Sequence, residues 1–162
     1  MKEWNERAKE VAYLLNPAFC GRIIYNTVKE YEIASKRAFP VPLVYLILPL
    51  ILHKKTRELI SSRTQLLVWI QRYPHLLIDF HVRAKELVGI TNEAMEFLFQ
   101  TNFLMLNVNG EIETVKTQKA LSKTKYIDEE VRECILKSGN VAKWFATAGK
   151  TETIYISLGV TP

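Results

Sequence analysis

The side chains best suited to proton transfer or metal binding in this sequence are three histidines in its middle third. His53, His75 and His81 have no cysteine or carboxylate at the spacing of a metal site, so we expect core or surface histidines. Asp79 near His81 resembles an acid/base pair, but a general base needs a positioned substrate, and the sequence indicates no pocket for one. The histidines therefore predict neither a metal centre nor a proton-transfer site.

Sequence motifs of nucleotide, cofactor and nucleophile chemistry are missing as well. The sequence has no P-loop, no dinucleotide-binding glycine pattern and no Gly-x-Ser-x-Gly motif. Cys20 and Cys134 lack metal-type spacing, and two lone cysteines in a cytosolic chain are expected to be reduced, half-buried thiols. We therefore predict that the chain is not an enzyme and that it needs no cofactor or metal.

The net charge of +5 is concentrated between His53 and Lys85. That segment contains seven basic and two acidic residues, which leaves fifteen of each sign in the rest of the chain. Two interpretations stay open: a surface that contacts phosphates or an acidic partner, and a solvated helix face. Under the first interpretation, the residues predicted to bind nucleic acid without sequence specificity are Lys54, Lys55, Arg57, Arg63, Arg72 and Arg83.

A helix that feeds directly into a β-hairpin is predicted between Thr91 and Lys116. Thr91 is a suitable N-cap, and Met95, Leu98 and Phe99 recur after it at helical spacing. A helix followed by a hairpin is the second half of a winged helix. That module usually binds DNA or another protein, so its charges decide which partner is favoured.

The hairpin itself is predicted from one dipeptide between two strand-like runs. Asn109 and Gly110 separate residues 103–108 from residues 111–116, and both tolerate the positive φ of a type I′ turn. Asn-Gly is the strongest short hairpin signal. The sequence therefore predicts a two-residue turn at this pair.

The charges on this helix and hairpin favour a protein partner over DNA bases. Base reading needs Arg, Lys, Asn or Gln aimed at base edges and cations that hold phosphates, yet residues 92–102 contain no Lys or Arg. Glu93 and Glu96 lie on the helix, and Glu111 and Glu113 lie on the hairpin. Because these carboxylates repel phosphates, we predict a docking module for protein.

Length and composition are those of one globular domain of mainly α class. The chain has 162 residues, of which 48% are hydrophobic and 24% charged. Its first seven residues carry acidic side chains and lack the apolar core of a secretory signal, which predicts a cytoplasmic protein. We divide the single domain, 1–162, into a helical part (1–90), a winged-helix-like helix and β-hairpin (91–116) and closing helices (127–159).

The most hydrophobic segment of the chain runs from Val41 to Leu52. It has twelve residues and two prolines, whereas a membrane-spanning helix needs about 20 apolar residues. We therefore predict a buried core helix that is kinked at Pro49, and no association with a membrane.

Proline and capping residues divide the first part of the chain. An amphipathic helix is predicted from Trp4 to Leu15, where Asn16 and Pro17 end it and start a second helix that runs to about Ser35. The residues predicted to form the buried stripe of this second helix are Phe19, Ile23, Ile24, Val28 and Tyr31.

Two more helices are predicted before the helix that carries Glu93 and Glu96, which we call the acidic helix. Residues 62–64 are expected to open a helix that contains Trp69 and ends at Pro74. Pro74 also starts the next helix, for which Gly89 is the predicted stop. Its predicted core face consists of Leu77, Ile78, His81 and Leu87.

Beyond the hairpin, residues 117–125 are polar and basic and predict a loop or linker. Asp128 then favours a helix start through the helix dipole, although Gly139 argues against one unbroken helix. Gly149 is the predicted end of that helix, and a last short helix is expected to end at Gly159.

Four phrases of the sequence, with the helix and hairpin between the second and third, together resemble a known family. They are Asn16-Pro17-Ala18-Phe19, then Leu48-Pro49-Leu50-Ile51-Leu52-His53-Lys54 with Thr56-Arg57 after it, then Lys143-Trp144-Phe145-Ala146, and finally Leu158-Gly159-Val160-Thr161-Pro162. In this order, and over nearly the whole chain, they resemble the middle component of three-component ABC systems.

The resemblance implies a bacterial conflict system that is similar in plan to Lamassu-type anti-phage defence. In such a system a small middle subunit accompanies an SMC- or Rad50-like coiled-coil ATPase and a variable effector, often a nuclease. The implied role is a non-catalytic accessory subunit that bridges ATPase and effector, comparable to the winged-helix accessory proteins of SMC complexes, with only indirect or weak DNA contact. The resemblance supplies no catalytic residues.

Partner-binding residues are predicted on the closing helices and on the acidic helix. Trp144 and Phe145 are adjacent on a predicted helix, so we expect one ring to point away from the core and anchor a partner. The alternative is that both rings are core residues. Glu93 and Glu96 are the other predicted contacts.

The sequence therefore predicts a helical bridging subunit, and two other functions stay open. One is a stand-alone winged-helix DNA-binding regulator, which the helix and hairpin also fit. The other is a small hydrolase whose site follows no recognised motif.

Overall fold

The computed structural model describes residues 15–116 and 128–161, and it confirms the mainly α class. The predicted loop at 117–125 and the predicted helix from Trp4, apart from its last residue, lie outside these ranges. Within them, the α-helices are α1 (Pro17–Ser35), α2 (Val44–Ile51), α3 (Lys54–Leu59), α4 (Leu66–Arg72), α5 (Phe80–Glu86), α6 (Val88–Gln100), α7 (Glu129–Thr147) and α8 (Thr151–Ser157). Short 3-10 helices lie at Val41–Leu43 and Pro74–Leu77, and the strands are β1 (Leu104–Leu106) and β2 (Ile112–Thr114).

The central helix is α1, which packs between α6 and α7. Its start is the predicted one: the Asn16 side chain accepts a hydrogen bond from the Ala18 backbone N–H at 2.8 Å, and Pro17 occupies the first turn. The predicted stripe is buried except for Phe19, which is half-buried. The helix ends where Lys36 adopts a left-handed conformation with φ of 58°.

The apolar segment that contains Pro49 forms a helix buried in the core, as predicted. α2 is buried along its whole length except at Tyr45, and Pro49 lies inside the helix. A run of buried Leu and Ile at this density removes a large apolar area from water, which is the main driving force for folding. Across residues 15–116 and 128–161, no helix is long and apolar enough to cross a membrane.

The segment before the acidic helix departs from the prediction in two ways. α4 begins at Leu66 after Gln65, not at residues 62–64, and Gly89 lies within α6 rather than ending a helix. Leu87 keeps a right-handed backbone, so the chain passes from α5 into α6 without a left-handed residue. The predicted core face is also wrong in part, because Ile78 is 70% exposed.

Another set of residues turns this segment toward the core. Leu76, Phe80 and Ala84 are buried, while His81 is exposed. The 3-10 helix from Pro74 shifts the helical phase, so the period counted from Pro74 does not continue through α5. His81 and Ile78 therefore lie on an outer face.

Thr91 does not cap the acidic helix. α6 begins three residues earlier, and the Thr91 N–H donates to the Leu87 carbonyl at 2.9 Å inside the helix. The side chain is fully buried, and its hydroxyl has no hydrogen-bond partner among the described residues. Threonine at this point follows from packing and not from capping chemistry.

The predicted hairpin is present, with a different turn. β1 and β2 are antiparallel, and Leu106 lies opposite Ile112. The Gly110 N–H donates to the Asn107 carbonyl at 3.0 Å, and only Gly110 of the predicted pair has a positive φ, of 73°. The Asn107 N–H also donates to the Glu111 carbonyl at 2.9 Å, so the loop between these two residues has three residues and one left-handed position. The prediction of a two-residue type I′ turn at Asn109 and Gly110 is therefore wrong.

A third extended segment pairs with the hairpin. Phe39, in the connection after α1, exchanges two backbone hydrogen bonds with Ile112, at 2.8 and 2.9 Å. Phe39 is fully buried and meets Tyr31 edge to face with a centroid distance of 5.0 Å. This pairing holds the hairpin against α1; whether the unit works as a winged helix remains a prediction.

The closing helices follow the prediction except at Gly139, which does not interrupt the first of them. Asp128 caps α7 by accepting from the Val131 N–H at 3.0 Å, and α7 continues through Gly139 without a break. Gly149 follows the end of α7 with φ of 93°, and Gly159 follows α8 with φ of 71°. Both glycines supply the left-handed conformation that ends a helix without a Cβ clash.

Candidate partner-docking site

The outer side of α6 and the adjoining hairpin form a groove of about 430 Å³, which we call the hairpin groove. Its floor is apolar, and its charged lining residue is Glu96; no Lys or Arg lines it. The residues that line it are Val41, Val44, Tyr45, Asn92, Met95, Glu96, Phe99, Gln100, Leu106 and Ile112. An apolar floor with a carboxylate on its wall suits a protein segment better than a phosphate backbone.

Exposed apolar side chains lie along β1 and the turn next to this groove. Met105 is 46% exposed, Leu106 is 52% exposed, and Val108 at the tip is fully exposed. Single exposed apolar residues are ordinary on a protein surface, but these three lie within four residues beside an apolar groove. Leu106 lines the groove, whereas Met105, its neighbour in β1, points to the opposite face of the hairpin.

The carboxylates on the hairpin are held in place by Asn107. Its side-chain amide donates to Glu113 at 3.1 Å and to Glu111 at 3.3 Å, while its side-chain oxygen accepts from the Asn109 and Glu111 N–H groups. Such Asx turns fix a loop through its own backbone. The hairpin thus presents two oriented negative charges next to its apolar tip.

The base of the hairpin is tied to α1, so this surface has a rigid support. Glu32 accepts from the Thr114 N–H at 2.9 Å and from the Thr114 hydroxyl at 2.6 Å. Phe103, just before β1, meets the Tyr25 ring edge to face at 5.8 Å. A site built on a rigid element loses less entropy when it binds.

The two predicted acidic contacts differ in position. Glu96 is exposed on α6 and accepts from the Gln100 amide at 3.0 Å, whereas Glu93 is half-buried toward α1. Glu96 therefore belongs to the groove, and Glu93 lies on the side of α6 that faces the domain.

The prediction that one of two adjacent aromatic rings points away from the core is wrong. Trp144 is 2% exposed and Phe145 is 1% exposed. The Trp144 ring lies 5.1 Å from Trp69 and its indole N–H donates to the Thr64 carbonyl at 2.5 Å, while Phe145 faces Phe39 at 6.4 Å. Both rings are core residues because α7 is covered on two sides.

Arg57 is the second correction, because it is buried and not part of a basic surface. The side chain is 1% exposed, and its guanidinium donates to Glu130 at 2.6 Å, to Glu133 at 2.8 Å and to the Ile51 carbonyl at 2.9 Å. Burial acts to lower the pKa of Arg57, but the hydrogen bonds to Glu133 and Glu130 outweigh it and raise the pKa. Arg57 joins α3 to the first turns of α7.

The remaining basic residues differ in their surroundings. Lys54 lies in a cleft whose other residues include Glu58, Glu129 and Glu130, and it pairs with Glu58 at 3.9 Å. Arg83 is half-buried, donates to the Leu76 carbonyl and lies over the Phe80 ring. The predicted contacts that stay exposed and away from this cleft are Lys55, Arg63 and Arg72.

The cysteines and histidines match no catalytic or metal arrangement in the described ranges, where no group of His, Cys, Asp and Glu could hold a metal ion. Within the described residues Cys20 and Cys134 form no disulfide, and both are buried rather than half-buried. Burial raises the pKa of Cys20 to about 12 and that of Cys134 to about 11, which keeps both as thiols. His53 caps α3, and His75 is exposed.

The groove was missed at the sequence level because its walls come from distant segments. The Tyr45 hydroxyl on α2 bonds the Asn92 side chain on α6, across 47 positions of sequence. No local signal marks Tyr45, since it sits in a run that reads as uniformly buried.

Comparison with known protein families shows which family the chain matches. The profile described as ABC-three component (ABC-3C) system Middle Component 3 matches residues 4–162. No curated protein and no solved structure shows a significant match to the chain.

Proposed function

Because the chain belongs to the family of ABC-three component system middle components, we propose that it is a non-catalytic subunit bridging an SMC-like ATPase and an effector. The sequence carries no motif for nucleotide hydrolysis, so we assign nucleotide hydrolysis to the ATPase component. Anti-phage defence in the cytoplasm, with an effector that is often a nuclease, is the biological setting that the family resemblance supports.

The observation that supports the bridging role most directly is the hairpin groove. An apolar floor, the half-exposed Leu106 and the carboxylate of Glu96 occur together in this groove, whereas Glu113 lies opposite Met105 on the other face of the hairpin. Such a face is complementary to an apolar segment flanked by Lys or Arg. We assign this face to the ATPase component.

The experiment is a binding titration between the purified chain and the ATPase component encoded with it. Leu106→Asp places a charge in the centre of the groove and should weaken binding by about 30-fold or more, the loss that corresponds to about 2 kcal/mol. Leu136→Asp is the matched control, because Leu136 is an exposed leucine, 67% accessible, on α7. Equal binding by both variants would contradict the assignment.

Direct DNA binding is expected to be weak, independent of sequence and steeply salt-dependent. The exposed cations Lys55, Arg63 and Arg72 are separated along the chain, and α6 and the hairpin carry carboxylates where a base-reading helix needs cations. Tight binding to one DNA sequence at physiological salt, lost when α6 is altered, would instead support a DNA-binding regulator.

A further inference from the structure

A second groove lies on the other side of Tyr45. It has a volume of about 500 Å³ and runs between α5, the start of α6 and the segment that follows α8. Residues that line it include Tyr45, His81, Ala84, Lys85, Val88 and Val160. We call it the C-terminal groove.

The charge of this groove is opposite to that of the hairpin groove. Its lining includes Lys85 and His81 and no Asp or Glu, whereas the hairpin groove has Glu96 and no Lys or Arg. Lys85 and His81 are both exposed, so the ammonium group of Lys85 lies at the solvent side of the groove. A ligand that satisfies this groove therefore carries apolar groups together with carboxylates.

The apolar surface beside the groove is left uncovered within the described chain. Val82 is 41% exposed, Val88 is 39% exposed and Ile78 is 70% exposed. This is the segment whose apolar pattern predicts a core face, yet the chain turns Leu76 and Phe80 inward instead. Ile78 belongs to that predicted face, and Val82 and Val88 enlarge the exposed apolar surface beside the groove, which is typical of an interaction surface.

We propose that the C-terminal groove binds an acidic amphipathic helix of the effector component. A helix places apolar anchors at i, i+3, i+4 and i+7 on one side, which suits a groove between helices. Acidic residues on its flank would meet Lys85. This inference rests on the proposed bridging function and adds its second contact, since two grooves of opposite charge select different partners.

The position of Tyr45 explains how one small subunit can hold both partners at once. Its ring lines both grooves, and its hydroxyl is fixed by the hydrogen bond to Asn92. The two ligands would therefore lie on opposite sides of one ring and would not compete for the same floor. Separate grooves allow simultaneous binding, which bridging requires.

The test is site-specific cross-linking in the assembled complex of the chain, the ATPase and the effector. A photo-reactive phenylalanine analogue replaces His81 at the rim of the groove, and Leu67, 42% exposed on α4, is the control position. Mass spectrometry of the product identifies the captured segment. We expect an effector segment with net negative charge and helical apolar spacing, captured from position 81 and not from position 67.

Several results would overturn the inference. The first is the capture of a segment that is basic or lacks helical apolar spacing. The second is the capture of the ATPase, of a second copy of this chain or of residues 1–14 of this chain. The third is the absence of any cross-link in an intact complex. A titration with the purified effector adds an independent measurement: Lys85→Glu should weaken binding at least about tenfold, while Lys85→Arg should bind like the wild type. Equal binding by both variants also refutes the proposal.

The two proposals fail in different ways. If Leu106→Asp leaves ATPase binding intact while position 81 captures an acidic effector helix, the assignment of the hairpin groove is wrong and the C-terminal groove stands. If Leu106→Asp abolishes ATPase binding while position 81 captures no effector, only the C-terminal groove is refuted.

Discussion

The Tyr45 hydroxyl donates a hydrogen bond to the side-chain oxygen of Asn92 at 2.9 Å, and this contact joins α2 to α6 between the two grooves. Tyr45 is the half-buried residue in an otherwise buried helix, so its ring is shared between the core and the surface. An aromatic side chain with a polar end is well suited to that position.

Replacing Tyr45 by alanine is expected to weaken the binding of both partners. The ring forms part of both groove walls, so its loss removes apolar contact area from each site. Separate titrations with the purified ATPase and effector measure the two effects, and thermal unfolding checks that the variant is folded. Tyr45→Phe is the control, because it keeps the ring and removes only the hydroxyl. The free energy of binding to either partner should then change by about 1 kcal/mol or less. Loss of only one partner with Tyr45→Ala would contradict the shared wall.

Gly110→Ala is expected to destabilise the hairpin without a steric clash. Gly110 has φ of 73°, and nothing lies within 4 Å of the position that a Cβ would take. The cost is therefore conformational, about 1–2 kcal/mol for a left-handed residue, which lowers the melting temperature by several degrees. Gly110→Asn should retain more stability, because asparagine tolerates this conformation. Identical melting temperatures for the alanine variant and wild type would exclude the strain.

Helix ends governed by local chemistry were predictable from the sequence. Asn16 with Pro17, Asp128 and Gly149 each act through groups within four residues along the chain. The buried α2 was predictable as well, because its length and density of Leu and Ile exclude most other assignments. In these cases the sequence contains the whole cause of the structure.

Features that depend on which element covers which face were not predictable. Two adjacent aromatics on one helix suggested an exposed ring, but α7 has core on two sides, so Trp144 and Phe145 are both buried. Arg57 was assigned to a basic surface because its partners, Glu130 and Glu133, lie more than 70 positions away. The grooves also form between segments that are far apart in sequence, such as those of Tyr45 and Asn92, 47 positions apart.

Removing the acidic partners of Arg57 is expected to be more destabilising than removing Arg57 itself. The guanidinium is buried, whereas the side chains of Glu130 and Glu133 are 54% and 31% exposed and are hydrated when unpaired. Glu130→Ala with Glu133→Ala leaves a buried cation, which costs roughly 3–5 kcal/mol of unfolding free energy. Arg57→Met mainly leaves the Ile51 carbonyl without its donor, at about 1–3 kcal/mol.

Urea denaturation measures these free energies, and Glu129→Ala is the control for the double variant. Glu129 is an exposed acid in the same first turn of α7, so the control reports the loss of its interaction with the helix dipole. If Arg57→Met lowers the free energy of unfolding more than the double variant does, the burial of an unpaired guanidinium is not the larger cost, and the prediction is wrong.

Trp144→Ala and Phe145→Ala are both expected to lower stability by about 3–5 kcal/mol, as for large aromatic side chains removed from a core. Trp144→Ala also leaves the Thr64 carbonyl without its indole donor. If either variant binds its partners less well, we expect the loss of binding to be proportional to the fraction of unfolded protein. Leu136→Ala on the same helix is the control and should change stability little, since this side chain is exposed. A folded Trp144→Ala protein that fails to bind would reinstate this residue as an interface anchor.

His53 is expected to make folding stability fall in mild acid. Its Nδ1 atom accepts from the Thr56 N–H at 3.4 Å and lies 2.7 Å from the Thr56 hydroxyl, a cap that requires the neutral ring. Burial, followed by the charges of Arg83, Lys55 and Arg57, lowers the pKa of His53 below its ordinary 6.5.

The sign of the effect follows from this lowered pKa. The unfolded chain binds a proton near pH 6.5 before the folded protein does, so the contribution is complete above pH 6.5 and is lost as pH falls through the folded value. His53→Asn keeps a capping acceptor that does not titrate. Melting temperatures of both proteins across pH 7.5 to 5 should therefore diverge, with the wild type losing more. A constant difference between the two across that range would show that protonation of His53 is not linked to folding.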